Sequence, residues 1–232
     1  MSKVKVSVFR LTLSLGLIAG CSAALMARVY VFTQGPIAAR ALENTNKALQ
    51  ELLPEFDNQP AEETVTLNSP KNVPVTFYRA RRNGELVGTA AEIITGEGFS
   101  GDITVMVGLD CKGRITTVLV TRQTETPGLG TVVTERKRKK TILNLFDEPE
   151  NGLPPNSVLD QLSGLSGMKV DAATGATWTH PEGEWKLRKD GGSLDAVTGA
   201  TITSRAVVDA VHQIALTFAE HHIELLEKEG FE

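Results

Sequence analysis

Near its start the chain carries a run of 17 uncharged residues, Leu11 to Ala27, and after Arg28 the apolar character resumes with Val29-Tyr30-Val31-Phe32. Roughly 20 helical residues at about 1.5 Å each cross a hydrocarbon core of about 30 Å. The run reaches that length if Arg28 snorkels to the interface, a depth that also suits Tyr30 and Phe32. Thr33-Gln34-Gly35-Pro36 then interrupts the pattern, and Pro36 is well placed to open a new helix. Ile37, Ala41, Leu42, Ala48, Leu49, Leu52 and Leu53 form a helical stripe that ends near Pro54. A linker rich in acids, Asn and Pro follows to about Pro74.

From Val75 the hydrophobic period shortens to two. Val75–Ala80 and Leu86–Thr95 flank a turn at Arg82-Asn83-Gly84 and read as a hairpin. Ile103–Leu109 and Ile115–Thr121 flank Asp110-Cys111-Lys112-Gly113 and read as a second one. Residues 147–195 are loop-like, with frequent Pro, Gly, Asn and Ser. From Ser204 the chain reads as a helix whose apolar face is Ala206, Val207, Ala210, Val211, Ile214, Ala215 and Phe218. The expected division is a cytoplasmic N-terminus (1–10), a membrane helix (11–33), an external helix and linker (34–74), a folded domain (75–220) and a C-terminal tail (221–232).

Charge sharpens this division. Residues 1–28 carry Lys3, Lys5, Arg10 and Arg28 and no acid, which leaves 20 basic against 28 acidic residues downstream, a balance of -8 behind a head of +4. Basic residues on the N-terminal side keep that end in the cytoplasm, so the body is expected outside it. Two other readings share the start. One is a cleaved signal peptide, and the other is a lipoprotein box at Ile18-Ala19-Gly20-Cys21, although Ala23-Ala24-Leu25-Met26 continues the apolar run where a lipoprotein turns polar. The net charge of -4 argues against a nucleic-acid binder. Two cysteines, one in the bilayer segment and one in the body, exclude a disulfide framework, and Cys111 reads as a turn residue.

Three segments stand out as candidate chemistry. Asp195-Ala196-Val197-Thr198-Gly199-Ala200-Thr201-Ile202-Thr203-Ser204 runs straight into the last helix, whose N-terminus presents free N–H groups and partial positive charge suited to a phosphate. The plainer reading is an N-cap supplied by Thr203 or Ser204. Glu125-Thr126-Pro127-Gly128-Leu129-Gly130 follows a strand and specifies a side-chain-poor turn that a flat ligand could approach. Trp185-Lys186-Leu187-Arg188-Lys189-Asp190-Gly191-Gly192 is a basic strand and turn leading into the first segment. Arg136–Lys140 is a basic cluster on a short helix, read as a solvated face or as a contact with a neighbouring protein or lipid headgroups. His212, His221 and His222 read as surface residues. The sequence shows no hydrolytic triad, Walker loop, metal-ligand cluster or complete dinucleotide fingerprint.

In this order, behind one membrane helix, the three segments make the chain similar to the G subunit of the Rnf electron-transport complex and, as a relative, to the C subunit of the sodium-pumping NADH:quinone oxidoreductase. The shorter length and the KDGG segment favour the former. The resemblance implies an α+β FMN-binding domain with a curved antiparallel sheet and flanking helices, outside the cytoplasm. It further implies FMN joined through its phosphate to Thr201, by a separate flavin transferase that uses FAD and reads Asp195, Thr198, Gly199 and Ala200. Glu125, Thr126, Gly128, Leu129 and Gly130 are then candidate contacts to the ring, with no catalytic residue and no metal ligand. The implied role is electron relay between ferredoxin and NAD, coupled to Na⁺ or H⁺ translocation, alongside the other membrane and cytoplasmic subunits.

A near-copy of the attachment segment, Asp171 to Thr179, lies 24 residues upstream of Asp195 and would offer Thr177. It runs on into His180-Pro181-Glu182-Gly183, so no useful helix can follow it, and Thr201 is the expected site. Two further classes remain open on the residues alone: a membrane-anchored binding or sensory module without covalent flavin, and a structural lipoprotein anchored through Cys21.

Overall fold

The computed structural model describes residues 8–136, 152–171, 175–177 and 184–226. Two compact units divide the chain, Met1–Asn44 and Thr45–Glu232. In the first, the described residues are helical and expose their apolar side chains, among them Leu11, Leu17, Leu25 and Phe32. Their helix, α1, runs Val8–Leu52 with Pro36 inside it, and is the one described helix long and apolar enough to cross a membrane. The expected break at Gly35-Pro36 does not occur. Proline removes one ladder hydrogen bond but its fixed φ is helical, so helix-forming residues on both sides, such as Ala38, Ala39, Arg40, Ala41 and Leu42, can carry the helix past it. Only the end of the expected stripe is a packing face: Ala48, Leu49, Leu52 and Leu53 are buried, whereas Ile37 and Leu42 are 63% and 55% exposed.

The second unit is built on a five-stranded antiparallel meander, β1 Thr64–Asn68, β2 Pro74–Arg82, β3 Glu85–Thr95, β4 Ile103–Leu109 and β5 Ile115–Arg122, in sequential order. β1 lies inside the stretch expected to be linker. The β2–β3 turn uses Asn83 and Gly84, both at positive φ (53° and 78°), the conformation a tight hairpin with native twist requires. At the next hairpin, Asp110 Oδ1 accepts from the N–H groups of Lys112 (2.8 Å) and Arg114 (2.9 Å) and so fixes the turn.

Alternation along the strands feeds two cores. Val75, Phe77, Ala91, Ile93, Val105, Val107 and Val118 point to one face, and Tyr78, Ala80, Ala90, Met106 and Leu119 to the other. The end of α1 covers the second face. Gly108 permits its approach, since a Cβ there would stand 2.5 Å from the Leu52 carbonyl oxygen. The first face is covered by α3, Thr201–Leu226, which buries all seven residues of its expected apolar face. Of these, Val207, Val211, Ile214 and Phe218 contribute about 1.5–3 kcal/mol each on burial, and the three alanines less. The helix starts at Thr201, three residues before the expected start at Ser204. It has non-helical φ/ψ at His221 but resumes, and within the expected tail Leu225 is fully buried in the core while Ile223 is 61% exposed.

Two further readings change. Arg136 is no solvated cation: its side chain is 8% exposed, donates to the carbonyls of Val118 (3.1 and 3.2 Å) and Pro154 (2.9 Å), and pairs with Asp160 at 2.6 Å. It ties β5 to the segment after residue 152; Lys137–Lys140 lie outside the described residues. His212 stacks on the buried Trp185 ring, with centroids 4.7 Å apart, and is part of the packing rather than of the open surface. Cys21 and Cys111 are both free and exposed.

Candidate functional site

Glu125 follows β5 and is 5% exposed. Its Oε2 accepts a hydrogen bond from Thr203 Oγ1 at 2.8 Å, and Oε1 accepts from the Ser100 N–H at 3.3 Å. One side chain therefore joins three segments: its own turn, the first turn of α3, and the loop between β3 and β4. Two glycines make room for it. A Cβ at Gly130 would overlap the Glu125 carboxylate, and one at Gly98 would stand 2.7 Å from Oε1.

The Glu125 turn closes on itself. Gly128 has φ of 78°, and its N–H donates to Thr131 Oγ1 at 2.9 Å; Leu129 N–H donates to the Thr126 carbonyl at 3.2 Å. The turn leads directly into a short helix, α2, Gly130–Thr134. Ser100 Oγ and Thr126 Oγ1 lie 3.3 Å apart, a second link between the turn and the β3–β4 loop.

At the α3 end, Gly199 takes φ of 86°, which turns the chain sharply before the helix. A Cβ there would stand 3.3 Å from Leu129 Cδ2, so the two turns meet face to face. Ala200 is the N-cap residue, its carbonyl accepting from Ser204 N–H at 2.9 Å. Neither expected capping hydroxyl caps the helix. Thr203 donates to Glu125, while Ser204 Oγ donates to the Ala200 carbonyl (2.9 Å) and accepts from Val197 N–H (3.3 Å). Among the described residues, no side-chain oxygen occupies the first-turn N–H groups of Thr201, Ile202 and Thr203. The positive end of a 26-residue helix is thus left open beside Thr201.

These segments enclose a cavity of about 230 Å³ lined by Phe99, Glu125, Thr126, Leu129, Gly130, Gly199, Ala200, Thr201, Ile202 and Thr203. Seven residues expected from sequence share it: Glu125, Thr126, Leu129, Gly130, Gly199, Ala200 and Thr201. Three do not line it. Gly128 shapes the turn behind it, and Thr198 sits in the turn before Gly199. Asp195 pairs with Arg188 at 3.1 Å while its backbone exchanges hydrogen bonds with the Gln161 side chain (2.7 and 2.8 Å). Phe99, Ile202 and Thr203 line the cavity without having been expected from the motifs. The signal for the first was the glycine-rich Gly96-Glu97-Gly98-Phe99-Ser100-Gly101, a single aromatic among three glycines between two strands.

The basic turn reaches the same place. Arg188–Asp190 is a single 3-10 turn closed by Gly191 at φ of 84°. Arg205 of α3 grips the Asp190 carboxylate with two hydrogen bonds (2.8 and 3.0 Å), which hold its pKa below the usual carboxylate range. Lys189 Nζ then lies 3.3 Å from Thr201 Oγ1 as a donor. In the near-copy, by contrast, Thr177 is part of a strand, β7 (Gly175–Thr177), opposite Lys169 in β6 (Lys169–Asp171). Residues 172–174 and 178–183 lie outside the described residues.

The donor set suits FMN. Phe99, Leu129 and Ile202 offer apolar surface to a ring, and the open helix end with Lys189 suits a phosphate. A family model described as an FMN-binding domain matches residues 98–182 and 180–215, a span that contains every lining residue of the cavity. The chain is 36% identical to the G subunit of the ion-translocating oxidoreductase complex of Cereibacter sphaeroides, over 92% of this chain and 85% of the relative. It is 33% identical to the protein of that name in Pseudomonas aeruginosa (96% and 94%) and 31% identical to that of Shewanella piezotolerans (96% and 95%). On this identity over nearly the whole length of both chains, the chain belongs to the family of ion-translocating oxidoreductase complex G subunits, and its folded unit is an FMN-binding domain.

Proposed function

We propose that this chain is the membrane-anchored flavoprotein subunit that relays electrons in an ion-translocating ferredoxin:NAD oxidoreductase complex of the Rnf type. FMN is held through a phosphoester to Thr201, made by a flavin transferase from FAD. Residues 11–33 are the membrane-crossing part of α1, the basic N-terminus stays in the cytoplasm, and the domain lies on the other side. The observation that carries the reading is the meeting of the Glu125–Gly130 turn with Thr201 at the uncapped start of α3, within one cavity.

FMN, when bound, supplies reversible one- and two-electron transfer, and the protein supplies orientation and electrostatics. Thr201 is the tether, which keeps the cofactor from being lost outside the cell. The open N-terminal end of α3 offsets the phosphate charge. Glu125 fixes the distance between the two turns through Thr203 and Ser100, and brings a buried carboxylate to the cavity wall. Phe99, Leu129 and Ile202 are 66%, 46% and 49% exposed, apolar surface at the cavity that a bound ring would cover. At about 230 Å³ the cavity is smaller than those that enclose a ligand of this size, about 300–1,000 Å³. A flavin held there would leave part of its ring open to a neighbouring protein for electron exchange. Turnover belongs to the complex rather than to this chain, whose part is to hold and position the flavin.

The test is expression with and without the flavin transferase, followed by ultraviolet-excited fluorescence on a denaturing gel. A fluorescent band that requires the transferase and vanishes in Thr201→Ala is expected. Fluorescence retained in that variant overturns the attachment site, and its absence in every sample favours a binding module without covalent flavin.

A further inference from the structure

The basic turn before the attachment segment is wired to the helix that carries Thr201. Leu187, at its start, is buried, and its carbonyl accepts from the N–H groups of Asp190 (2.8 Å) and Gly192 (3.0 Å). Leu194 N–H donates to the Lys186 carbonyl (3.1 Å) and Arg188 N–H to the Leu194 carbonyl (2.8 Å), so the loop is closed at its base. Gly191 supplies the left-handed residue the closure needs, and a Cβ at Gly192 would overlap the Lys186 carbonyl. The two hydrogen bonds between Asp190 and Arg205 then fasten the turn to the first turns of α3. Both oxygens of the adjacent acid are engaged by Arg205, and the Lys189 ammonium lies 3.3 Å from Thr201 Oγ1.

From this wiring we infer that Lys189 is a phosphate-binding residue of the attachment site, pairing with the phosphoryl group at the Thr201 oxygen. The inference rests on Thr201 being the point of attachment. In the transfer, a bond forms between Thr201 Oγ and the flavin-side phosphorus of FAD, and the anhydride bond to AMP breaks. AMP leaves, the hydroxyl proton passes to a base of the transferase, and no electron is exchanged. The product is a phosphodiester with one negative charge. An ammonium beside the attacking oxygen stabilises charge that grows there during the step, and remains as the partner of the anion afterwards. The uncapped N–H groups of Thr201, Ile202 and Thr203 act on the same anion from the helix side. Lys189 is exposed, so its contribution is that of a positioned surface charge, strongest at low salt.

The test compares the full-length chain in detergent with Lys189→Met, Lys189→Arg and Thr201→Ala, each incubated with purified flavin transferase, FAD and Mg²⁺. Attachment is followed in time by intact mass. Tryptophan fluorescence, measured with every variant in a Trp178→Phe background so that Trp185 alone emits, checks folding, since the Trp185 ring is buried in the core and reports its integrity. Loss of one charge-assisted contact corresponds to about a tenfold slower attachment in Lys189→Met. Recovery of most of the rate in Lys189→Arg, and a gap between parent and Met variant that narrows as salt is raised, are also expected. A Met variant that attaches flavin at the parental rate, or an Arg variant as slow as the Met variant, overturns the inference. Thr201→Ala separates the two levels: if it still takes up flavin, the attachment site itself is wrong, whatever Lys189 does.

Discussion

Replacing Glu125 by Ala and Thr203 by Val, singly and together, measures the contact that joins the two halves of the site. The hydrogen bond is 2.8 Å long, its acceptor belongs to a residue 5% exposed and its donor to a residue 1% exposed. A hydrogen bond to a charged group contributes about 1.5–3 kcal/mol, and a buried polar group left without its partner costs about 1–3 kcal/mol. Glu125→Ala strands both Thr203 Oγ1 and the Ser100 N–H and opens a small void, so a loss of about 2–4 kcal/mol is expected. Thr203→Val leaves the carboxylate one donor short and should cost about 1–3 kcal/mol. In the double variant the stranded hydroxyl is gone, and its loss should fall about 1.5–3 kcal/mol short of the sum of the singles. The assay is urea unfolding of the full chain in detergent, followed by Trp185 fluorescence in a Trp178→Phe background and extrapolated linearly to water. Additivity within about 0.5 kcal/mol would refute the reasoning, because it would mean that the side chains do not feel one another.

Three other perturbations test the frame that carries the site. Burial raises the pKa of Glu92, against the lowering effect of its hydrogen bond with Tyr78, whose phenol is itself pushed up to about 12 by burial and then by Glu92. An acid with a raised folded pKa favours the fold below its unfolded value of 4.5, and that contribution is lost as pH rises through the folded value. Glu92→Gln should therefore flatten the stability–pH curve above about 4.5 and leave the domain more stable than its parent at pH 7, read by urea midpoints across pH; an unchanged slope rejects the assignment. Gly108→Ala places a Cβ 2.5 Å from the Leu52 carbonyl and should destabilise the sheet–α1 contact by about 1–3 kcal/mol, with an unchanged urea midpoint as the contrary result. Arg136→Met removes the donors to the Val118 and Pro154 carbonyls and should cost about 2–4 kcal/mol in the same assay, whereas a surface charge would cost under about 0.5 kcal/mol.

Strands β2 to β5 were legible because each alternates between two cores and is bounded by turn residues, so period and punctuation agree. The face of α3 was legible for the same reason. β1 was not: Thr64–Asn68 is short and mostly polar, and the acids and prolines before it resemble linker. The unbroken α1 was hidden because Gly35-Pro36 is a strong local stop signal, while continuation is set by the helical residues on both sides. Capping statistics place the start of α3 at a hydroxyl. In the fold, however, the Thr203 and Ser204 hydroxyls are drawn to Glu125 and to the Ala200 carbonyl, which moves the helix start back to Thr201. The motifs themselves were visible, but their meeting was not. Glu125 and Thr203 are 78 residues apart in the chain, and no local pattern encodes a contact at that range. Lys189 was visible only as part of a basic turn, and its approach to Thr201 depends on the Arg205–Asp190 link.

Peptide mapping of the flavin tests the central claim most directly. Trypsin cuts after Lys169, Lys186, Lys189 and Arg205, so Thr177 falls in the peptide Val170–Lys186 and Thr201 in Asp190–Arg205. The membrane-purified chain, produced together with its flavin transferase, is digested and the flavin-bearing peptide is fragmented by tandem mass spectrometry. The predicted result is one FMN per chain, on Asp190–Arg205 and localised to Thr201. FMN on Val170–Lys186, or a chain with no covalent flavin at all, would contradict it.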